Sequence, residues 1–437
     1  MSDKIHARHQ RIWSFLWHTV AWAFRRIYAY DCELAPEIEG PCLILSNHTT
    51  ELDPVLVALS FPRQMYFVAS EHVYRKGWIS RLLYWAFQPI AKMKGSSDAL
   101  TVMKVIRTIK EGKNVCIFAE GNRSFDGRNA YVPHATGKLA KTCGATLVTY
   151  RLEGGYLTNP RWGFGIRRGK CFGHVVNVYS PQSLKEMTAE QVNDIIKNDI
   201  YEDAYERQQT NRIAYKGKNR ALGIECAFCV CPRCRKIGTI SSSGNNVFCT
   251  SCGNNSLFDE YGYFNSEFGV SNTKEWEDLQ ESVLRQFADE KLNEPAETIN
   301  AKPFFYDEGV SFKTLDSEHK EKNIGNGKMS LYADRFVFEP EKKDENVAAD
   351  GTVDEKNAVN GEPNDEVHPF VLYIKDISDM SVYSRNGFVF TDVAGVHYEI
   401  KPCLKKSPLN VRKYISIWKR LRERVAVEES AVVLNEE

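Results

Sequence analysis

The sequence lacks any long hydrophobic run. No segment approaches the ~18 to 20 consecutive apolar residues that a membrane-spanning helix requires. A short apolar segment followed by a small-residue cleavage site, which would mark a secretory signal, is absent as well. We therefore expect a cytoplasmic protein whose contact with lipid is peripheral or monotopic, on the inner face of the cell membrane.

The sequence also lacks net charge. Its 57 basic and 57 acidic side chains balance, so the protein has no overall positive field of the kind that attracts nucleic acid. We expect no nucleic-acid partner. The 437 residues are too many for one ordinary domain, and the length predicts two or three.

Cysteine is thinly spread except in one short segment. Six of the twelve cysteines fall between residues 226 and 252 as Cys-x2-Cys pairs, a spacing typical of metal ligands in a reducing compartment. Two of these pairs predict a zinc ribbon over residues 224–256. Because four thiolates saturate the coordination of zinc, we expect the metal to be structural. The predicted ligands are Cys231, Cys234, Cys249 and Cys252.

Two alternatives to this zinc ribbon stay open. The paired cysteines also suit a dithiol redox switch. In addition, Cys226 and Cys229 form a third Cys-x2-Cys pair just before the predicted ligands, and this pair would either replace one ligand pair or bind no metal.

A short apolar run at residues 42–45 is followed by a polar, turn-prone segment that contains His48 and Asp53. The apolar run predicts a buried strand. A helix is expected to begin at Thr49 or Thr50. His48 and Asp53 would then lie about one helical turn apart.

This spacing allows the Asp53 carboxylate to accept a hydrogen bond from one nitrogen of His48 while the other nitrogen faces a substrate. A neutral imidazole held in this way can remove a proton from a hydroxyl group. The pair has no nucleophile of its own, so we expect the nucleophile to be the alcohol of the substrate. The alternative is a helix-capping histidine near a surface aspartate.

A second block, Phe-Ala-Glu-Gly-Asn-Arg-Ser at residues 118–124, follows about seventy residues later. Together, the patterns Asn-His-x4-Asp and Phe-x-Glu-Gly-x-Arg-Ser resemble the glycerolipid acyltransferase family, whose best-known member makes phosphatidic acid from lysophosphatidic acid. The order and separation of the two blocks match that family. The resemblance covers about residues 10–205.

The resemblance implies transfer of a fatty acyl group from acyl-CoA or acyl carrier protein to the free hydroxyl of a lysophospholipid. Lysophosphatidic acid is the first candidate acceptor. His48 would be the general base and Asp53 its orienter. The alternative is a membrane-surface lipid-binding or adaptor protein with a catalytically weak acyltransferase domain.

In the family, the Glu-Gly-x-Arg segment binds the glycerol phosphate of the acceptor, so the resemblance assigns that role to Glu120, Gly121 and Arg123. Glycine also lets a backbone approach an anion, and a guanidinium offers phosphate a fork of donors. The alternative is a simple pairing of Glu120 with Arg123 at a turn. Where the family usually adds an arginine from an intervening segment, this sequence has lysines, with Lys94 the preferred match and Lys92 in reserve.

Between residues 42 and 180, candidate strands alternate with helical patterns. Such alternation predicts an α/β domain over residues 31–210, with helices flanking a central sheet. The clearest helix is expected over residues 98–111. The candidate strands are residues 42–46, 65–70, 114–119, 145–152 and 172–180.

Residues 1–30 predict an interfacial amphipathic helix. Trp13, Trp17 and Trp22 lie between arginines near both ends of this segment. Indole rings suit the boundary of a membrane, and guanidinium groups suit anionic headgroups. The alternative is a helix that packs on its own domain.

Residues 270–428 predict a helix over 273–292, an antiparallel sheet and a C-terminal helix, an architecture that looks like a pleckstrin-homology-type or GRAM-type domain. Residues 340–366 are acidic and poor in large apolar side chains, so we expect a disordered loop there. The candidate strands are residues 328–339, 370–374, 377–383, 388–391 and 397–401.

Overall fold

The computed structural model contains two compact units, Met1–Val283 and Leu284–Glu437. Each unit is described by itself. The described residues are 3–70, 73–74, 77–92, 99–315, 321–341, 369–403 and 409–436.

The first unit is built around a seven-stranded sheet with the order β1-β7-β6-β2-β5-β3-β4. All neighbouring strands are parallel except the antiparallel pair β6 and β7. The predicted α/β sheet is therefore confirmed, and the expected strand positions agree to within one or two residues. The strands are β1 (Tyr30–Cys32), β2 (Cys42–Ser46), β3 (Met65–Ser70), β4 (Ile90–Lys92), β5 (Asn114–Phe118), β6 (Thr146–Glu153) and β7 (Cys171–Tyr179).

Helices cover both faces of this sheet. Alternate residues of a strand point to opposite sides, so a strand that is apolar throughout needs packing partners on both faces. Leu43 and Leu45 of β2 share one apolar core with Ile109, and Ile44 shares the other core with Trp13. The helices are α1 (Asp3–Thr19), α2 (Ala21–Tyr28), α3 (Asp53–Ala58), α4 (Trp78–Phe87), α5 (Ala99–Lys110), α6 (Ala135–Cys143), α7 (Gly155–Thr158), α8 (Pro181–Glu186), α9 (Ala189–Asp199) and α10 (Ala204–Thr210).

Two helices differ from their expected form. Instead of one N-terminal helix, the chain forms α1 and α2, separated at Val20. The helix after β2 begins at Asp53 and not at Thr49 or Thr50, so that expectation is wrong. The reason is local: the backbone N–H groups of both threonines bind the Asp53 side chain in a turn that precedes the helix.

A small three-stranded antiparallel sheet follows in the same unit, with the order β10-β9-β8. It consists of β8 (Ile240–Ser243), β9 (Asn246–Cys249) and β10 (Asn255–Leu257), and it is followed by α11 (Thr273–Leu292), which matches its expected bounds. The indole of Trp276 is fully buried and donates to the carbonyl of Val230 at 2.8 Å. This contact fixes the start of α11 on the cysteine-rich segment.

The second unit is a seven-stranded sheet with the order β14-β13-β12-β11-β17-β16-β15, all antiparallel, as expected for a mainly β domain. The segment expected to be one strand, residues 328–339, contains parts of two strands joined by a turn. The sequence analysis predicted no strand at Phe305–Leu315, where β11 lies. Most of the expected disordered loop 340–366 lies outside the described residues. The elements are α12 (Ala296–Ile299), β11 (Phe305–Leu315), β12 (Glu321–Leu331), β13 (Arg335–Pro340), β14 (Phe370–Tyr373), β15 (Ile377–Tyr383), β16 (Gly387–Asp392), β17 (His397–Pro402) and α13 (Val411–Glu436).

Candidate active site

Strand pairing brings the two sequence blocks together. Strands β2 and β5 are parallel neighbours in which Ser46 pairs with Phe118. Parallel strands end at the same edge of a sheet, where open α/β sheets place their ligands. His48 and Glu120 each follow their strand by two residues, so the fold places them side by side at this edge.

His48 and Asp53 form a hydrogen-bonded pair, with Nδ1 of the imidazole 2.8 Å from Oδ2 of the carboxylate. Asp53 is fully buried, whereas the His48 side chain is 22% exposed. A carboxylate that accepts a hydrogen bond from Nδ1 leaves Nε2 as the nitrogen that can take a proton. This arrangement is the one that general-base chemistry requires.

The turn around Asp53 is held by several donors. The backbone N–H groups of Thr49 and Thr50 donate to the carboxylate at 2.5 and 2.9 Å. Their hydroxyl groups donate at 3.2 and 2.7 Å. The sequence analysis predicted these threonines to be turn-prone residues at the start of a helix and did not predict their contacts with Asp53. Their contacts fix the orientation of the carboxylate and therefore of the imidazole that it holds.

Asn47 anchors the same turn to the sheet. Its side-chain amide donates to the carbonyl of Leu152 at 2.8 Å and accepts from the Leu152 N–H at 2.7 Å. These two hydrogen bonds take the place of the backbone hydrogen bonds to the neighbouring strand, which stop at the end of β2. The sequence signal was the Asn that precedes the His of the first block, but its long-range partner cannot be read from spacing.

Glu120 is buried and faces the protein interior. Its Oε1 accepts from the backbone N–H of His48 at 2.9 Å and from Asn129 Nδ2 at 2.6 Å, and its Oε2 accepts from the Ala130 N–H at 2.5 Å. Burial raises the pKa of Glu120 to about 8 despite these donors. Through these hydrogen bonds, Glu120 connects the backbone of His48 to Asn129 and Ala130, which follow the second block. A contact of Glu120 with an acceptor stays a prediction.

Gly121 and Arg123 lie on the turn that follows β5. Gly121 has φ +67°, a left-handed conformation that favours glycine. Arg123 is largely buried, pairs with Glu51 at 3.2 Å, and has its pKa lowered by burial. The Lys92 ammonium lies 3.9 Å from the position that a Cβ at Gly121 would occupy. Lys94 falls outside the described residues.

An apolar cavity of about 560 Å³ lies beside the His48 turn. One wall reaches the imidazole through stacked rings, since Phe67 stacks on Phe118 at 6.4 Å and Phe118 stacks on His48 at 4.6 Å, between centroids. The cavity is lined by Trp13, Leu16, Trp17, Val20, Ala21, Phe24, Glu51, Leu52, Pro54, Val55, Ala58, Leu59, Phe67, Ala69, Val73, Leu83, Phe87 and Pro89.

The N-terminal aromatic residues divide between the interior and the surface. Trp13 is buried, and its indole donates to the carbonyl of Phe61 at 3.1 Å. Phe15 and Trp22 are 65% and 66% exposed, and α4 adds the exposed Trp78. Within the described residues, every helix is too short or too polar to cross a bilayer. The N-terminal helices therefore both pack on their own domain and present aromatic rings at the surface.

Four cysteines form a second cluster of chemical interest. Their sulfur atoms all lie within 4.8 Å of one another, and the described distances of 3.7 and 3.8 Å join Cys231 to Cys252 and Cys234 to Cys249. A tetrahedral ion with metal–sulfur bonds of about 2.3 Å sets its ligands ~3.8 Å apart. The cluster can therefore hold a metal ion, and its members are the predicted ones.

Comparisons with known proteins give one match to a solved structure and one to a family model. The chain is similar to the crystal structure of the 1-acyl-sn-glycerophosphate (LPA) acyltransferase PlsC from Thermotoga maritima, with 17% sequence identity and a TM-score of 0.36 over 46% of this chain and 83% of that chain. A family model described as Acyltransferase matches residues 26–153. This protein therefore carries an acyltransferase-family domain, which contains both the His48–Asp53 pair and the turn from Gly121 to Arg123.

Proposed function

We propose that this protein transfers a fatty acyl group from acyl-CoA or acyl carrier protein to the free hydroxyl of lysophosphatidic acid, giving phosphatidic acid. The observation that carries the proposal is the position of the His48–Asp53 pair near the apolar cavity, to whose wall at Phe67 the imidazole is connected through the stacked ring of Phe118. A pair of this kind activates a hydroxyl, and a cavity of this size and lining suits a fatty acyl chain.

The reaction needs no acyl-enzyme. The acceptor hydroxyl gives its proton to Nε2 of His48 while its oxygen attacks the carbonyl carbon of the thioester. The buried Asp53 stabilises the imidazolium that forms and keeps the ring in position. When the carbon–sulfur bond breaks, the thiolate takes the proton from His48. The products are an ester and a free thiol, and the histidine is neutral again.

The phosphate of the acceptor is assigned to the turn after β5. Gly121 lets the backbone approach the anion, and Arg123 and Lys92 supply positive charge beside it. Lys94 remains a further candidate for the same phosphate. Glu120 serves this site by holding the His48 backbone close to Ala130, in the segment that follows the turn.

The four-cysteine cluster is proposed to bind one structural zinc ion. Four sulfur ligands leave no open coordination position for a substrate, so the metal would stabilise the fold and take no part in the reaction. Cys226 and Cys229 are buried in the same segment but do not belong to the cluster.

The exposed aromatic residues of α1, α2 and α4 are proposed to rest on the inner face of the cell membrane. Phe15, Trp22 and Trp78 are more than half exposed. The guanidinium of Arg8 lies 4.9 Å from the ring of Trp85, which is half exposed. Aromatic rings with arginines among them suit the headgroup region of an anionic bilayer.

The test is an acyl-transfer assay with purified full-length protein, labelled acyl-CoA or acyl carrier protein, and a panel of lysolipids in vesicles. We expect transfer to lysophosphatidic acid. Ala69→Phe, which fills the cavity from β3, should shift the preference to shorter acyl chains, whereas Ala135→Phe on the exposed start of α6 should not. Vesicle binding without transfer to any acceptor would contradict the proposal and favour a lipid-binding adaptor.

A further inference from the structure

The backbone of His48 is held by a buried carboxyl group. Its N–H donates to Oε1 of Glu120 at 2.9 Å. The same carboxyl group accepts from the side-chain amide of Asn129 at 2.6 Å and from the N–H of Ala130 at 2.5 Å. Glu120 is 5% exposed, and a buried carboxyl group stays where its hydrogen-bond donors place it. The position of His48 therefore depends on the positions of Asn129 and Ala130.

Asn129 lies outside both sequence blocks and joins Glu120 to a distant segment of the chain. Its Oδ1 accepts from the N–H of Glu202 at 2.5 Å, and its Nδ2 also donates to the carbonyl of Ile200 at 3.2 Å. Residues 200–203 connect α9 to α10. One orientation of the amide satisfies these contacts together with the contact to Glu120, because its oxygen accepts and its nitrogen donates. Asn129 is thus fixed between Glu120 and this connecting segment.

The connecting segment also reaches the turn that orients the imidazole. The side chain of Glu202 accepts from the N–H of Gly154 at 3.1 Å. The next residue, Gly155, packs so closely on Thr49 that an added Cβ would lie 2.1 Å from the threonine Oγ1. Thr49 in turn donates to Asp53, the carboxylate that holds the imidazole. The contacts that begin at the connecting segment therefore converge on the candidate base from two sides, its backbone and its ring.

These contacts lie in the protein interior, where an unmade hydrogen bond is costly. Burial raises the pKa of Glu120 to about 8 and that of Glu202 to about 7. Removal of the Asn129 side chain would leave the Glu202 N–H without its acceptor and Glu120 with one donor fewer. His48 lies two residues beyond the end of β2, where contacts of this kind, and no longer the pairing of strands, fix the chain.

We infer that Asn129 is a positioning residue, which acts through Glu120 and Glu202 to hold His48 in the place that proton transfer requires. The inference rests on the proposed function for the reaction itself. Misplacement of a reacting group by about 1 Å can cost about 100-fold in rate. Because Asn129 acts on the base, its removal should slow the transfer step and leave the binding of acceptor and donor nearly unchanged.

The test compares Asn129→Ala with the wild type in the full-length protein. We expect kcat for acyl transfer to lysophosphatidic acid to fall about ten- to hundredfold, with KM for the acceptor and for the acyl donor within about twofold. The matched control is Asn193→Ala. Asn193 is also buried and accepts one backbone hydrogen bond, from Gly137 at 3.1 Å. Its removal should cost similar stability and leave kcat within about twofold.

A second variant, Asn129→Asp, keeps the oxygen that accepts from Glu202 and removes the amide donor to Glu120. It should lower kcat at least as much as Asn129→Ala does, because it places a second carboxyl group beside Glu120. A kcat for both Asn129 variants within about twofold of that of Asn193→Ala would overturn the inference. A rise in KM for the acceptor that accounts for the whole loss of kcat/KM would also overturn it, since that result would assign Asn129 to acceptor binding.

Hydrogen exchange separates this inference from the proposed function. The backbone N–H of His48 should exchange about fivefold faster or more in Asn129→Ala than in the wild type, because its acceptor Glu120 is held less firmly. In Asn193→Ala it should exchange at the wild-type rate. If the wild-type protein transfers no acyl group but the exchange of His48 depends on Asn129, the proposed reaction fails and the hold of Asn129 on His48 stands. If His48 exchanges equally in all three proteins, the inference is wrong.

Discussion

The two polar clusters of the first unit are built in opposite ways. At the His48 turn, the chain supplies every contact that fixes the reactive groups: Asp53 and Glu120 are each surrounded by donors from backbone and side chains. In the cysteine cluster, four sulfur atoms face one another within 4.8 Å, and thiolates this close repel each other unless a cation lies between them. The first cluster is held by contacts within the protein, and the second has the geometry to hold a metal ion.

This difference determines what each site loses when one residue is removed. The His48 turn should keep its structure when its base is deleted, because the remaining hydrogen bonds do not involve the imidazole. Removal of one cysteine from the cysteine cluster should abolish metal binding and disrupt the local structure at the same time. The following experiments test this contrast in order of the expected effect.

The largest effect is expected for His48→Ala. Removal of a general base typically costs about 10²- to 10⁴-fold in rate, so kcat for acyl transfer should fall within that range. The free energy of unfolding should change by about 1 kcal/mol or less, because His48 is partly exposed and Asp53 keeps its threonine donors. A loss of activity below about tenfold would argue against general-base catalysis.

Asp53→Asn should reduce both activity and stability. The amide nitrogen of the variant would replace one of the two carboxylate oxygens and would therefore face the backbone N–H group of either Thr49 or Thr50. Leaving buried donors without an acceptor costs about 1–3 kcal/mol each, so the melting temperature should fall clearly. His48→Ala serves as the control that lacks this structural effect. A variant that loses activity at full stability would show that Asp53 acts on the imidazole alone.

Cys231→Ser should abolish binding of one zinc ion per chain and destabilise the segment from residue 224 to α11. Zinc content is measured by metal analysis under reducing conditions, and local stability by hydrogen exchange. Cys226→Ser is the matched control, since Cys226 is buried nearby but lies outside the cluster. Zinc that persists in Cys231→Ser and disappears in Cys226→Ser would reassign the ligands.

The two clusters also differ in how far the sequence predicts them. All four cysteines lie within one short segment, so their spacing alone indicated a metal site, and the structure brings together the same four. The first and second blocks lie about seventy residues apart, and their proximity follows from parallel pairing of β2 with β5. The family resemblance implied that both blocks serve one site, whereas their spacing alone does not.

The remaining features of the site depend on contacts that a linear pattern does not show. The pairing of Asn47 with Leu152 spans 105 residues, and the contact of Asn129 with the Glu202 N–H spans 73. The sequence predicted the start of α3 too early, because helix rules favour a threonine as the N-terminal cap. In the structure, the threonines instead bind the carboxylate of Asp53, which lies later in the chain. Side-chain competition of this kind outweighs local helix preference.

A smaller effect concerns the pH dependence of folding. The pKa of Glu120 rises from 4.5 to about 8 on burial, so the folded protein binds more protons than the unfolded protein in this range. Stability contributed by this group therefore falls as pH rises from about 4.5 to 8, by at most about 1.4 kcal/mol per pH unit. Glu120→Gln should flatten this slope in denaturant unfolding, whereas the exposed Glu186→Gln should not. Equal slopes would show that Glu120 is ionised in the folded protein.

The last prediction concerns the N-terminal surface, where the same contrast separates a buried aromatic residue from exposed ones. Trp13 is held by the protein itself, so Trp13→Ala should lower the free energy of unfolding by about 3–5 kcal/mol. Trp22 and Phe15 are exposed, and in the proposed function their rings contact lipid. The double variant Phe15→Ser with Trp22→Ser should leave unfolding within about 0.5 kcal/mol of the wild type and weaken binding to anionic vesicles several-fold. Its activity should fall on lysophosphatidic acid in bilayers and persist on a short-chain soluble acceptor. Equal loss on both acceptors would show that the double variant disturbs catalysis itself and not membrane contact, and unchanged vesicle binding would assign membrane contact to another surface.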